Sequence, residues 1–186
     1  MDDVQIIELY WARSDRAIEE SAVKYGRYCH TIAYNILRSD EDSEECVNDT
    51  WLNAWNAIPP KHPSPLSAFL GRITRNLALN RWKRSKADKR GGGQVELALE
   101  ELSGCIPSAD SPAQAVEDAA VVELLDGFLG ALPPQTRKIF MLRYWYLCPV
   151  GEIARLLGVG ESKVKMTLMR SRSRLRELLE KEGVTL

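Results

Sequence analysis

Apolar residues recur along this chain at helical spacing, and no segment of useful length shows the two-residue period of a strand. Ile18, Ala22, Tyr25, Cys29, Ile32 and Ile36 follow one another at steps of 4, 3, 4, 3 and 4, which places them on one stripe of a helix. Ser14 stands before it as an N-cap. A second helix opens in "SDEDSEE", whose Glu41, Asp42, Glu44 and Glu45 gather where the helix dipole favours carboxylates. Its inner stripe is Val47, Trp51, Ala54 and Ile58, and the face with Glu45, Asp49, Asn53 and Asn56 is expected to be exposed.

"PPKHPSP" then interrupts the pattern, because prolines this dense cannot continue a helix. Ser64 and Pro65 suit the N-cap and first position of a third helix. Leu66, Phe69, Leu70, Ile73 and Leu77 share one face of it. Arg72, Arg75, Asn76, Lys83, Lys86 and Arg90 lie opposite, with Trp82 at the edge. The apolar stripe stops at Leu77, and Arg81 and Arg84 take over its positions, so the helix is expected to project past its own core.

"GGG" at 91–93 closes this part. Residues 94–111 read as an acidic linker with a turn or two of helix at "ELALEEL". A second helical unit opens at Ser111-Pro112, with Gln114 placed for a capping box. Val121, Leu124, Leu125, Phe128 and Leu132 form the stripe of its first helix, and "QTRKIFMLRYWY" gives another. The expected fold is all-α: two small helical domains, residues 1–93 and 112–186, joined by a flexible linker.

Hydrophobic residues make up 45% of the chain, enough for packed cores. The first 30 residues alternate apolar with charged groups and no apolar run is long enough to span a bilayer, so neither a secretory signal nor a membrane helix is expected. Cys29, Cys46, Cys105 and Cys148 are scattered without a CxxC, beside only two histidines. That spacing favours neither a zinc site nor a disulfide framework and suits a reducing cytoplasm. No P-loop, paired catalytic carboxylates or activated Ser/Cys is found, so neither a catalytic role, a cofactor nor a small-molecule substrate is expected.

Net charge is only −1, but it is segregated. Residues 1–58 hold 5 Lys/Arg against 12 Asp/Glu, and residues 59–93 hold 9 against 1. Residues 94–130 hold 0 against 8, and residues 131–186 hold 11 against 5. Like charge gathered on one surface costs self-repulsion, so two basic blocks separated by acidic ones point to two anion-binding surfaces.

The last block carries the most specific pattern. "PVGEIARLLGVGESKVKMTLMRSRSRLRELL" has the form of a short helix, a turn with Gly158 and Gly160, and a long helix. Ile153, Ala154 and Leu157 pack the first; Val164, Leu168, Ser171, Leu175 and Leu178 line the second. This is a helix-turn-helix, whose second helix enters the DNA major groove by its N-terminal half. Ser162, Lys163, Met166 and Arg170 face away from the stripe, where they can reach base edges or phosphates. Arg172, Arg174 and Arg176 are placed for backbone contact.

Taken together, these segments resemble the extracytoplasmic-function (ECF) group of RNA polymerase sigma factors. "DSEECVNDTWLNAW" is similar to the family's clamp-binding helix, and "SAFLGRITRNLALNRWKR" to its promoter-melting helix. "LPPQTRKIFMLRYWYLCPVGEIARLLGVGESKVKMTLMRSRSRLRELL" is similar to region 4 nearly throughout. Asn48 and Asn80, and Lys163, Thr167 and Ser171 in the recognition helix, depart from the commoner residues.

The resemblance implies that residues 1–93 form region 2, which binds core polymerase and recognises and melts the −10 element, while residues 112–186 form region 4, which recognises the −35 element. It implies core contact by Glu45, Asp49, Leu52 and Trp55; Trp51, at the same place, reads better as core. It implies DNA contact by Arg72, Arg75, Asn76, Trp82, Lys83 and Lys86, with Trp82 either stacking on a base or wedging the helix against its domain. At the −35 element it implies Ser162, Lys163, Met166, Arg170 and Arg174. His62 lies in the loop where relatives capture an extruded base, and reads better as solvated. Core RNA polymerase, promoter DNA and an anti-sigma factor, which could hold the chain at the membrane, are the implied partners.

A dimeric helix-turn-helix repressor would need neither the basic, aromatic-edged helix nor the acidic one before it. A nuclease or recombinase would need clustered carboxylates or a nucleophile among the basic residues.

Overall fold

A computed structural model describes residues 1–86, 93–103, 105 and 115–182, with the side chains of 86 and 115–120 left out. Arg90, the Ser111-Pro112 start, the Gln114 capping box and most of the glycine run therefore lie outside the described residues, as does the side chain of Lys86. The described residues contain nine helices and no strand. They fall into two compact units, Met1–Gly91 and Gly92–Leu186.

The first unit holds α1 (Asp3–Trp11), α2 (Arg16–Leu37), α3 (Asp40–Ala57) and α4 (Leu66–Lys86). Helix α1 was not foreseen. Its Asp2 and Gln5 form a reciprocal capping box, and Ile6, Ile7 and Tyr10 are buried. Asp3 accepts hydrogen bonds from Lys24 Nζ at 2.6 Å, from the Tyr25 hydroxyl, and from the Leu66 backbone N–H at 3.3 Å. Burial pushes its carboxyl up, but these donors and the Lys24 charge outweigh that and hold it below its ordinary value. So the start of α4 is held by α1 from across the unit, through a partner that the Ser64-Pro65 pattern does not report.

In α2, Ala22 is exposed and Ser21 is buried, its hydroxyl 3.0 Å from that of Tyr10. The stripe is turned by one position there because α1 supplies a polar partner that the spacing of apolar residues does not report. The predicted N-cap Ser14 gives way to Asp15, which makes no side-chain cap bond. Ser39 does cap α3, accepting from the Asp42 N–H at 3.2 Å. Val47, Trp51, Ala54 and Ile58 are buried as expected.

Helix α4 also turns slightly from its predicted wheel: Leu66, Phe69, Leu70, Gly71, Thr74 and Ala78 are buried, while Ile73 and Leu77 are half-buried. Thr74 and Thr50 meet at 3.0 Å between α4 and α3, and each also lies within hydrogen-bond distance of its own helix's i−4 carbonyl. The interface thus buries two hydroxyls with their bonds made. Gly71 is a close approach: a Cβ there would sit 2.5 Å from Tyr28 Oη and 3.1 Å from Cε1 of the rigid ring. Gly71→Ala is expected to destabilise this unit by about 1–3 kcal/mol through overpacking, measured by denaturant unfolding.

Cys29 and Cys46 lie in this core, and burial pushes both thiols up to about 11. At pH 7.5 they are thiols rather than thiolates and screened from solvent. Neither is expected to react with a disulfide reagent until the protein unfolds, and rapid labelling of either by mass spectrometry would contradict this packing.

The second unit holds α5 (Gln94–Ser103), α6 (Ala115–Ala131), α7 (Pro134–Tyr144), α8 (Val150–Leu157) and α9 (Glu161–Lys181). Phe128, Phe140 and Tyr144 stack edge-on in sequence, with centroids 5.7 and 4.7 Å apart. Gly158 adopts φ 63° at the end of α8, a left-handed conformation that glycine takes without steric cost. It turns the chain into α9, which buries Val164, Leu168, Ser171, Leu175 and Leu179. Leu178 was expected on that stripe but is half-buried, because it lies toward α6.

Within the segment read as a linker, α5 is a helix of 10 residues packed on α7, burying Val95 and Ala98. What fixes it is Arg143, only 2% exposed. Its guanidinium donates to both Glu101 carboxylate oxygens at 3.2 and 2.9 Å, to Gln94 Oε1 at 3.1 Å and to the Cys148 carbonyl at 3.2 Å. A buried arginine needs such a set of acceptors. Two of these three acceptor residues come from α5.

Candidate nucleic-acid and polymerase interface

In the first unit the basic face of α4 and the acidic face of α3 adjoin, and Arg81 is the junction. Its guanidinium donates to Glu45 Oε2 at 2.7 Å, to Asp49 Oδ2 at 3.4 Å and to the Asp42 carbonyl at 3.3 Å. So α4 does not run free beyond Leu77; Arg81 folds it onto α3. The signal was present in the sequence as carboxylates at positions 42, 45 and 49, one helical face, with an arginine where the apolar stripe of α4 stops. Glu45 and Asp49 nonetheless keep 62% and 50% of their side chains exposed, so the acidic face still points outward.

Leu52 is exposed beside them. Trp55 is half-buried: Arg13 lies 5.3 Å over its ring and donates to its carbonyl at 2.7 Å. Trp51, in contrast, is in the core.

Along α4, Arg72, Asn76 and Lys83 are exposed. Arg75 is half-buried, and burial lowers its pKa, so it sits deeper than its neighbours. Trp82 is half-buried. His62 is exposed on the proline loop, with its ring 6.1 Å from that of Trp11. Sequence reasoning missed this aromatic neighbour because it missed α1.

In the second unit, Ser162, Lys163, Met166 and Arg170 are exposed opposite the buried stripe of α9, and Arg174 is exposed on its flank. Arg174 borders a shallow groove lined by Glu123, Leu124, Gly127, Phe128, Ala131 and Leu178. Arg172 departs from expectation. It turns back to donate to Tyr144 Oη at 2.7 Å and to Glu101 Oε2 at 3.4 Å. Burial and the neighbouring carboxylate push the Tyr144 hydroxyl up to about 12, so it stays protonated and donates to Glu101 at 3.0 Å. Among the described residues no cluster of His, Cys, Asp and Glu has metal-binding geometry, and no helix is long and apolar enough to cross a membrane.

Comparison with known proteins locates these two surfaces in one family. Residues 22–87 match the model of Sigma-70 region 2, and residues 123–175 match that of Sigma-70, region 4. The chain belongs to the ECF sigma factors. Over 178 residues it is 28% identical to the ECF RNA polymerase sigma factor SigM of Mycobacterium tuberculosis, covering 95% of this chain and 84% of that one. The ECF RNA polymerase sigma factor SigE of Mycolicibacterium smegmatis is 29% identical over 83% of this chain and 58% of its own length. A probable RNA polymerase sigma factor of Xanthomonas campestris, RfaY, is 32% identical over 81% of this chain, which spans only 37% of that relative. Within this family the exposed faces of α3 and α4 belong to region 2 and that of α9 to region 4. Helix α1 and helix α5 both lie outside the matched segments.

Proposed function

We propose that this ECF sigma factor binds core RNA polymerase, recognises −35 and −10 promoter elements and assists promoter opening. The observation that carries the reading is the presence, in one chain, of matched regions 2 and 4 that each leave cations exposed on one helix: Arg72 and Lys83, beside the neutral amide of Asn76, on α4, and Lys163, Arg170 and Arg174 on α9. Core contact is assigned to residues Glu45, Asp49, Leu52 and Trp55. Recognition and melting at −10 are assigned to Arg72, Arg75, Asn76, Trp82, Lys83 and Lys86, and −35 recognition to Ser162, Lys163, Met166, Arg170 and Arg174.

The opening step needs no hydrolysis by this chain. Each base step unstacked costs about 1–2 kcal/mol, and capturing an unpaired base by stacking returns about 1–3 kcal/mol. Cations on α4 hold the separated strand by its phosphates. Polymerase carries out the chemistry. The site of action is the cytoplasm, with an anti-sigma factor as the regulatory partner expected of the family, able to hold the chain at a membrane.

The test is transcription in vitro with purified core enzyme and genomic DNA, followed by sequencing of start sites. Initiation at a defined promoter set only when this chain is added supports the proposal. Failure to bind core, or binding without initiation, overturns it.

A further inference from the structure

Two guanidiniums share one carboxylate in the second unit, and they hold it unequally. Arg143 takes Glu101 with two bonds at 2.9 and 3.2 Å from a position 2% exposed. Arg172 reaches the same carboxylate through a single contact at 3.4 Å, and its side chain is 25% exposed. Its shorter bond, 2.7 Å, is to the neutral Tyr144 hydroxyl. Arg172 is therefore a cation whose charge is only partly compensated, on the helix that presents Arg170 and Arg174 outward two positions to either side.

A backbone phosphate carries a full charge and several acceptor oxygens, and pairs with arginine more strongly than a distant, shared carboxylate does. We propose that Arg172 with Tyr144 forms a phosphate site on region 4, that Glu101 of α5 occupies it in the free chain, and that duplex DNA displaces Glu101 from Arg172. Arg143 keeps its bidentate hold on Glu101, so α5 stays docked while Arg172 swings outward. Glu101 thereby lowers the affinity of the free chain for DNA. This rests on the assignment of α9 to DNA above, but the two are decided separately: transcription with core enzyme tests that assignment, and duplex affinity tests this one.

The experiment measures binding of the full chain to a fluorescent duplex at several salt concentrations, with each variant's fold checked by circular dichroism. Glu101→Gln is expected to tighten binding by about three- to tenfold, as one charge-assisted contact is released to phosphate. Glu100→Gln makes the same change of net charge on an exposed neighbour and is expected to leave the affinity within about twofold. In an Arg172→Ala background, Glu101→Gln should no longer tighten binding, because the two changes act through one pair. Equal affinity of Glu101→Gln and the unsubstituted chain overturns the proposal. So does an equal gain from Glu100→Gln, or a gain that persists without Arg172. A second measurement needs no variant for its readout: the Glu101 carboxyl carbon resonance, assigned in the unsubstituted chain, is expected to move on adding saturating duplex. An unmoved resonance overturns the proposal.

Discussion

A chain carrying Arg72→Ala and Asn76→Ala is expected to join core polymerase normally and to lose promoter opening by an order of magnitude or more. Both side chains are exposed on α4, away from the Thr50–Thr74 contact that holds α4 to α3. Their removal costs the fold little, since exposed substitutions away from caps and buried networks change stability by about 0.5 kcal/mol or less. A hydrogen bond that involves a charged group contributes about 1.5–3 kcal/mol and a neutral one about 0.5–1.5 kcal/mol, so losing the Arg72 and Asn76 contacts together shifts the opening equilibrium by roughly 30-fold or more. Adding Arg75→Ala is expected to abolish opening, and it should also lower stability, because Arg75 is half-buried where its neighbours are not. Opening is measured by permanganate reactivity of unpaired thymines, and core binding by co-purification. Normal opening by the double variant would remove α4 from the melting step.

Arg143→Ala is expected to have the largest effect on stability. It empties a position 2% exposed and takes the bidentate partner from a half-buried carboxylate, which keeps only the Tyr144 hydroxyl and the single longer contact of Arg172. Breaking a buried pair in this way costs about 3–5 kcal/mol, much of the stability of a domain this small. The second unit should unfold at lower denaturant while the first keeps its transition. The same network sets an acid limit. Burial pushes the Glu101 carboxyl up, but the hydrogen bond and charge of Arg143, the Tyr144 hydroxyl and the charge of Arg172 outweigh it, and the folded-state value lies below the ordinary one. A carboxyl lowered on folding contributes stability that is complete above its unfolded pKa and is lost as pH falls through the folded value. Stability of the second unit should therefore decline on acidification below the ordinary glutamate range, and Glu101→Gln should flatten that decline. An unchanged acid profile in Glu101→Gln would show that the carboxylate does not stabilise the unit.

What could be read from the sequence was what local spacing encodes. The stripe Val47, Trp51, Ala54 and Ile58, the glycine turn at Gly158 and the outward set Ser162, Lys163, Met166 and Arg170 are all defined within a few helical turns. The groups that escaped are joined by long-range polar contacts. Arg81 meets Glu45 from 36 residues away, Arg143 meets Glu101 from 42, and Arg172 meets Glu101 from 71. An arginine that ends an apolar stripe does not by itself name its partner; for Arg81 the carboxylates at positions 42, 45 and 49 of another helix had to be read with it. Helix α1 was missed for a related reason. Its apolar face is only Ile6, Ile7 and Tyr10, too short to show a period, and much of what anchors it is the polar contact of Asp3 with Lys24, Tyr25 and Leu66.

The most direct test is a footprint of promoter DNA bound by polymerase reconstituted with this chain, comparing Arg72→Ala/Asn76→Ala with Lys163→Ala/Arg170→Ala. The first variant should keep upstream protection and lose thymine reactivity near the start site; the second should lose or redirect the upstream protection. If both variants erase the same protections together, or neither changes any, then the two helices do not hold separate parts of one promoter.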